Sequence, residues 1–447
     1  MKIAFHTLGC KVNQYETESM KEQFAAAGHE IVGEEDPADV YIINTCTVTN
    51  LADRKSRQYI RRMKKQSPQA IVAVTGCYAQ VKPEELTAME EVDIVAGTGE
   101  KNRLLSYVEQ FRTDRHAQLH IRPYDELTEY TDRGIITSME SRTRAYLKIQ
   151  EGCNRFCAYC LIPFARGQVR SRNPEEIVEE ARALVAAGFQ ELILTGINTA
   201  LYGTEDGFRW PLTEEEKADG VFGIEIIIRR INRLPGNFRI RLSSLEPTVV
   251  NADYVKRLLQ YERLCPHLHL SIQSGSDHIL QAMNRRYDRQ EYLDIVRVLK
   301  EHDPGYGITT DIIAGFPGET EEDFQDSLDM IRTVEFCKVH GFRYSRRPGT
   351  AAAAMTGQVA GEEKNRRIQR LLAEGKKAER AYFAGCAKRG EIRMVLFEEV
   401  EEGLLTGYSE NYIKVYAAGG EELLNSFQKV RLLEEYKDGM KGERING

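Results

Sequence analysis

The sequence predicts an α/β protein in three parts. These are an N-terminal parallel, Rossmann-like α/β domain over residues 1–115, a central partial (β/α)6 barrel over 140–378, and a small all-β barrel over 379–440. Three observations predict this order. Short apolar β-type runs alternate with helical patterns in a first block, six more do so in a second block, and beyond Phe383 only β-type runs with glycine-bearing turns remain.

In the first block the runs are Ile3-Ala4-Phe5, Val40-Tyr41-Ile42-Ile43, Ile71-Val72-Ala73-Val74 and Ile94-Val95-Ala96. Strands separated by helices pair in parallel, and ligands of open parallel sheets bind outside the carboxyl ends of the strands. A cysteine follows each of the first three runs: Cys10, Cys46 and Cys77. The loops at that edge bring the three to one point, a candidate iron–sulfur site with no obvious fourth ligand; the alternative is three buried core cysteines. A helix over 51–66 carries Arg54, Lys55, Arg57, Arg61, Arg62, Lys64 and Lys65. It is either a phosphate-contacting surface or a solvated face.

A polar connector from Arg103 to Thr143 leads to the second block, with runs at 145–150, 191–194, 238–242, 267–272, 307–313 and 338–344. Six βα units are too few for a closed eight-fold barrel, so an open one with its site at the carboxyl ends of the strands is expected. Directly after the first run stands Gly152-Cys153-Asn154-Arg155-Phe156-Cys157-Ala158-Tyr159-Cys160. Zinc sites with four cysteines usually come as two separated C-x2-C pairs, whereas this C-x3-C-x2-C run stands alone. Three thiolates suit a four-iron cluster whose last iron stays open to a substrate; a closed structural zinc site is the alternative. Cys265, Cys337 and Cys386 lack ligand spacing and read as core thiols, and His267-x-His269 reads as core packing.

The last block has β-type runs at 392–397, 404–408, 412–416 and 430–433. Strand alternation sets Tyr412, Lys414 and Tyr416 on one face, a base-stacking platform or an ordinary exposed strand face. In the whole chain of 447 residues, 61 Lys and Arg face 68 Asp and Glu, a net charge of −7, so any RNA contact must come from local basic patches. No apolar run approaches a membrane span and no signal-type segment opens the chain; a cytoplasmic protein is expected, with its nine cysteines ligating metal before forming disulfides.

These residues resemble the radical S-adenosylmethionine (SAM) methylthiotransferases over essentially the whole chain. The resemblance rests on Cys153, Cys157 and Cys160, on the opening Leu8-Gly9-Cys10-Lys11-Val12-Asn13, and on Arg166-Gly-Gln-Val-Arg170-Ser-Arg172. Further matches are Arg241-Leu-Ser-Ser-Leu-Glu246-Pro247, Gln273-Ser274-Gly275, Asp311-Ile-Ile-Ala-Gly315-Phe-Pro-Gly-Glu319 and Tyr344-Ser-Arg-Arg-Pro-Gly-Thr350. One stretch, Gly341-Phe342-Arg343, departs from the family's pattern. The opening is most similar to the branch that methylthiolates C2 of N6-threonylcarbamoyladenosine at position 37 of tRNA; the same chemistry on isopentenyladenosine or on a ribosomal-protein aspartate is the alternative. A metal-bound RNA-binding protein without catalysis is the alternative of another class.

The resemblance implies a C-terminal TRAM domain and two [4Fe-4S] clusters. The one on Cys153, Cys157 and Cys160 cleaves SAM to a 5′-deoxyadenosyl radical, and the one on Cys10, Cys46 and Cys77 holds the sulfur to be inserted, a second SAM supplying the methyl group. It also implies a SAM pocket of Tyr159, Thr195, Gly196, Ser244, Glu246, Gln273, Ser274, Gly315 and Gly318. Implied partners are the tRNA anticodon stem-loop, an electron donor of flavodoxin or ferredoxin type and a sulfur donor, with the enzyme a monomer.

Overall fold

The computed structural model describes residues 1–130, 136 and 143–445. The N-terminal sheet holds six parallel strands: β1 (Lys2–Thr7), β2 (Glu30–Val32), β3 (Val40–Thr45), β4 (Ile71–Gly76), β5 (Ile94–Ala96) and β6 (Gln118–His120). Their spatial order is β2-β1-β3-β4-β5-β6, so the chain changes direction between β1 and β3, where loops diverge and leave a crevice. The four expected runs are β1, β3, β4 and β5. The stretch from Arg103 is not simply a polar connector. It contains a helix, Leu104–Asp114, whose Leu104, Tyr107, Val108 and Phe111 are buried against the sheet, followed by β6.

The helix expected over 51–66 spans Asn50–Gln66, capped by the Thr49 side chain on the Ala52 amide. Its basic residues divide. Arg57, Arg61, Arg62 and Lys64 pair with Glu85, Glu91, Glu35 and Asp93, while Arg54, Lys55 and Lys65 are exposed with no ionic partner among the described residues. Only part of this face is therefore available to phosphate.

The barrel strands are β7 (Arg144–Glu151), β8 (Arg170–Ser171), β9 (Glu191–Gly196), β10 (Arg239–Leu242), β11 (Ser244–Leu245), β12 (His267–Leu270), β13 (Gly307–Ala314) and β14 (Lys338–Arg343). The expected run 238–242 is β10; the short β11 follows it past a break at Ser243, which the sequence pattern did not mark, and β10 pairs with β9, β11 with β12. A bridge from Ile240 to Leu264 carries the curl across the break. Six parallel units thus wrap from β7 to β14, with β8 a short antiparallel edge on β7. Leu147, Ile149, Leu192, Leu194, Ile240, Leu268, Leu270 and Ile308 pack outward against the helices. The residues alternating with them, among them Lys148, Thr195, Arg241, His269 and Asp311, face inward.

Gly341 sits in regular register opposite Ile312. A Cβ there would stand 2.8 Å from both Ile368 Cδ1 and Leu371 Cδ2, so the missing side chain lets the 28-residue helix Gly361–Lys388 lie directly on β14.

That helix runs past Phe383, where the sequence pattern suggested its end, because Tyr382, Phe383 and Cys386 are core residues of the C-terminal barrel. The barrel closes as β15-β16-β17-β19-β18, with β15 (Ile392–Glu401), β16 (Leu404–Ser409), β17 (Lys414–Ala417), β18 (Ser426–Tyr436) and β19 (Gly439–Arg444). β19 has no apolar alternation beyond Met440 and was not legible as a strand. The expected stacking platform is absent. Tyr412 lies before β17 at a φ of 68° and stacks on His267 with ring centres 4.5 Å apart. Tyr416 is 1% exposed with its hydroxyl on Asp438, and Lys414 Nζ is 2.8 Å from Glu401. The left-handed turn breaks the alternation on which the platform depended.

Tyr412 belongs instead to a seam that closes the barrel floor. Arg239 and Arg241 both grip the buried Glu191, with Nε–O distances of 2.6 and 2.9 Å, and reach on to the carbonyls of Met394, Tyr408, Ser409 and Glu410. No helix among the described residues is long and apolar enough to cross a membrane.

Candidate active site

Cys10 caps the first helix, α1 (Lys11–Ala26), Cys46 directly follows β3, and Cys77 follows β4 and opens a short helix, Cys77–Val81. Asn13 stitches the loops: its Nδ2 donates to Leu8 O at 2.7 Å and to Thr45 O at 3.0 Å, and its carbonyl accepts from Asn44 Nδ2 at 3.0 Å. The backbone must turn sharply here. Gly76 has a φ of 95°, and a Cβ on it would meet Thr45 O at 2.4 Å; one on Gly9 would meet Cys46 Cβ at 2.8 Å. Burial pushes the Cys46 thiol up to about 12, with Cys77 and Cys10 adding to it. Cys77 is raised by burial too, against the pull of Arg166. A Cβ on Gly9 would also stand 3.1 Å from Cys46 Sγ, so the loop that carries Cys10 runs directly against Cys46.

The second group is local. Gly152, with a φ of 74°, allows the chain to pass Gln168 O, which a Cβ would meet at 1.7 Å, and Cys153 N–H then donates to Gly167 O at 3.1 Å. Cys160 N–H donates to Cys157 O at 2.9 Å. Burial pushes Cys153 up to about 11, against the Arg155 N–H and with Cys157 adding; Cys160 is raised by burial, then by Cys157 and Cys153. All six thiols are free of disulfides. Among the described residues no three His, Cys, Asp or Glu side chains close around a single metal ion. The fit to larger clusters rests on the donors: each group offers three sulfurs and an arginine N–H aimed at one of them. Arg166 Nε lies 3.2 Å from Cys77 Sγ, and Arg285 Nη1 3.1 Å from Cys157 Sγ.

The barrel's strand-end residues gather on the same rim. Tyr159 is half-buried, edge-on to Phe316 with ring centres 6.5 Å apart, and desolvation raises its hydroxyl. Thr195 Oγ1 and Asn198 Oδ1 are buried without a hydrogen-bond partner among the described residues, two polar atoms left open after β9. Gly196 backs onto Gln150, 3.0 Å from where its Cβ would be, and Ser244 is exposed on β11. Glu246 is engaged by Arg155 at 3.0 Å and Asn198 at 2.8 Å. Gln273 bridges by its backbone to β13 at a φ of 68°, while Ser274 turns inward to Ser327. Gly315 and Gly318 have φ of 76° and 82°; Gly315 packs against Lys364, and Gly318 has open space where a Cβ would stand.

A buried ionic network joins the N-terminal sheet to the barrel. Glu16 on α1 accepts from Lys101, from Lys148 at 2.7 Å and from Arg166 at 2.5 Å; Lys148 also pairs with Glu151, as does Arg166 at 3.2 Å. Burial alone would raise Glu16, but Arg166, Lys101 and Lys148 outweigh it and hold the carboxyl well below the usual range. Farther along the same interface, Arg347 reaches Asp53 at 2.8 Å and Thr47 Oγ1, next to Cys46, at 2.6 Å. Lys11 extends toward Glu191, Arg241 and Arg144, and burial and those arginines lower its amine to about 8.

Sequence reasoning missed Arg155, Asn198 and Arg285, each a single polar residue in a loop. Asn198, two residues beyond Gly196, carried the only usable signal, a polar side chain just past a strand end. Arg166 stood within a recognised segment, but its part at the interface required the fold.

An open parallel barrel with three cysteines after its first strand is the architecture of radical SAM enzymes. Residues 147–331 match the Radical SAM superfamily, and residues 2–97 match a family described as Uncharacterized protein family UPF0004. The threonylcarbamoyladenosine tRNA methylthiotransferase MtaB of Bacillus subtilis (strain 168) is 41% identical over 97% of this chain and 94% of its own length. The protein of the same description from Aquifex aeolicus (strain VF5) is 39% identical over 95% and 98%. A tRNA-2-methylthio-N(6)-dimethylallyladenosine synthase of Clostridium botulinum (strain Eklund 17B / Type B) is 33% identical over 98% and 94%. The radical SAM methyltransferase TsrM of Kitasatospora setae, with cobalamin and a [4Fe-4S] cluster bound, shares the fold at a TM-score of 0.56 and 15% identity, over 78% of this chain and 76% of that one. This chain belongs to the radical SAM tRNA methylthiotransferase family.

Proposed function

We infer that this protein methylthiolates C2 of N6-threonylcarbamoyladenosine 37 in tRNA, giving the 2-methylthio derivative. The carrying observation is full-length similarity to enzymes named for that substrate, 41% and 39% identical, against 33% for the named dimethylallyladenosine enzyme. Cys153, Cys157 and Cys160 would hold one [4Fe-4S] cluster, and Cys10, Cys46 and Cys77 the other. Together with SAM, these groups supply a carbon radical for a C–H bond too weakly acidic for a side-chain base, a sulfur to insert and a methyl group to cap it.

The chain's own residues frame that chemistry. Arg155 and Asn198 fix Glu246 at the end of β11, so its carboxylate presents one orientation to the rim. The unpaired Thr195 Oγ1 and Asn198 Oδ1 offer polar contacts to SAM, and the open space at Gly318 admits a ligand against the backbone. Phe156 and Phe164, 43% and 47% exposed, flank the second cysteine group and shield it from bulk water once substrate is seated. The exposed Arg54, Lys55 and Lys65 are available to RNA phosphates. An electron donor of flavodoxin or ferredoxin type, a sulfur donor, a monomeric state and a cytoplasmic setting complete the reading.

Purified enzyme with SAM, reductant and sulfide is tested on threonylcarbamoylated tRNA, isopentenylated tRNA and the small-subunit ribosomal protein. Methylthiolation of the first alone is expected. Product only on either of the others would move the chain to another branch.

A further inference from the structure

Arg166 is where the two cysteine groups meet. It ends the helix Ile162–Arg166, six residues past Cys160 on the same loop, and is fully buried. Nη1 donates to Glu16 at 2.5 Å and Glu151 at 3.2 Å, Nη2 to Asn13 Oδ1 and to Glu16 at 3.2 Å, and Nε–H to Cys77 Sγ at 3.2 Å. Among the described residues the network joins Arg166, Lys101 and Lys148 to the carboxylates of Glu16 and Glu151. A buried cation is costly unless anions offset it. The one Arg166 donor not spent on oxygen points at a cysteine sulfur, and a metal-bound thiolate there adds a negative charge beside the guanidinium.

We propose that Arg166 is a tuning and positioning residue of the N-terminal cysteine group: its N–H···S bond to Cys77 raises the reduction potential of the cluster on Cys10, Cys46 and Cys77 and ties that cluster to the loop of the other. This rests on the reading that those cysteines hold a cluster. A hydrogen bond donated to a ligand sulfur disperses charge and favours the reduced, more negative state, and iron–sulfur potentials respond to such bonds and to nearby charge. Arg285 makes the corresponding contact with Cys157, has Glu246 3.4 Å away and touches only the barrel, so replacing it in a protein that lacks the barrel cysteines controls for loss of a buried arginine remote from the N-terminal group.

The test uses the full chain carrying Cys153→Ala, Cys157→Ala and Cys160→Ala, so that only the N-terminal cluster remains, titrated with dithionite and followed by EPR. Arg166→Gln should lower the reduced-to-oxidised ratio at a fixed potential by about tenfold, and Arg285→Gln should leave it unchanged. Iron missing from the parent would refute the cluster reading; iron present with the same midpoint in Arg166→Gln would overturn the inference alone. A second measurement leaves Arg166 in place: with 15N-guanidinium arginine, the reduced cluster should show a 15N hyperfine coupling. Absence of that coupling overturns the proposal even where Arg166→Gln fails to retain iron.

Discussion

The two cysteine groups reach similar ends by opposite routes. One lies on a single loop of eight residues, so its geometry follows from local backbone turns around Gly152. The other draws on the ends of β1, β3 and β4, and only the pairing of those strands brings its members together. The local group carries its own construction in the sequence; the distributed group depends on everything that sets strand register and loop shape. Its loops are accordingly tied by side-chain hydrogen bonds from Asn13, Asn44, Arg166 and Arg347.

The largest effects should come from removing each group whole. Reconstituted wild type should bind about eight irons per chain, two four-iron clusters. Alanine at Cys153, Cys157 and Cys160 should leave about four and abolish SAM cleavage. Alanine at Cys10, Cys46 and Cys77 should also leave about four but keep SAM cleavage while thiolation is lost. Unchanged SAM cleavage in the first triple variant would sink the assignment.

Next come the glycines that shape each group. Gly76→Ala places a side chain in left-handed backbone 2.4 Å from Thr45 O, at a cost of about 2 kcal/mol in strain, and should empty the distributed site while SAM cleavage survives. Gly152→Ala should do the reverse. Iron and SAM-cleavage assays on the pair decide it, and equal losses at both sites would deny their independence.

Arg347→Met tests the long-range support. It leaves Asp53 buried without its closest ion-pair partner, the Thr47 hydroxyl at 3.0 Å and Lys82 at 3.9 Å remaining, and should cost about 3 kcal/mol of stability, read from the denaturant midpoint. The distributed group should lose iron more readily to a chelator than the local one.

The smallest effect at neutral pH concerns a seam that touches neither group. Burial alone would raise Glu191, but Arg241 and Arg239 outweigh it and hold its carboxyl far below the usual range. A depressed carboxyl contributes stability above its unfolded value, about 4.3, and loses it as pH falls toward the folded one. Melting temperature should therefore drop steadily below about pH 5, and the drop should be shallower in Glu191→Gln, which lacks the titrating group. Parallel pH profiles for the two proteins would contradict this account.

Much of this was legible in the residues because the signals were local. Apolar runs marked four of six strands in the first sheet and all six barrel units, and the cysteines stand at strand ends as those runs implied. Edge strands of three residues, β2 and β6, gave no such signal. Tyr412, Lys414 and Tyr416 misled because alternation assumes an unbroken strand, and a single left-handed residue shifted Tyr412 to the barrel floor. The ionic network was invisible for a different reason: its partners are scattered in sequence and share no motif.

That scatter also fixes a schedule. Glu16 finds Lys101, Lys148 and Arg166 at separations of 85, 132 and 150 residues. At roughly 5–20 residues per second, a ribosome finishes Cys10 and Glu16 some 8–30 s before Arg166 exists. During synthesis the first sheet can thus present Cys10, Cys46 and Cys77 to an iron donor before the barrel's arginine arrives to lock them. Labelled-iron capture by nascent chains stalled before and after Arg166 would read that order, and capture only after Arg166 would reverse it.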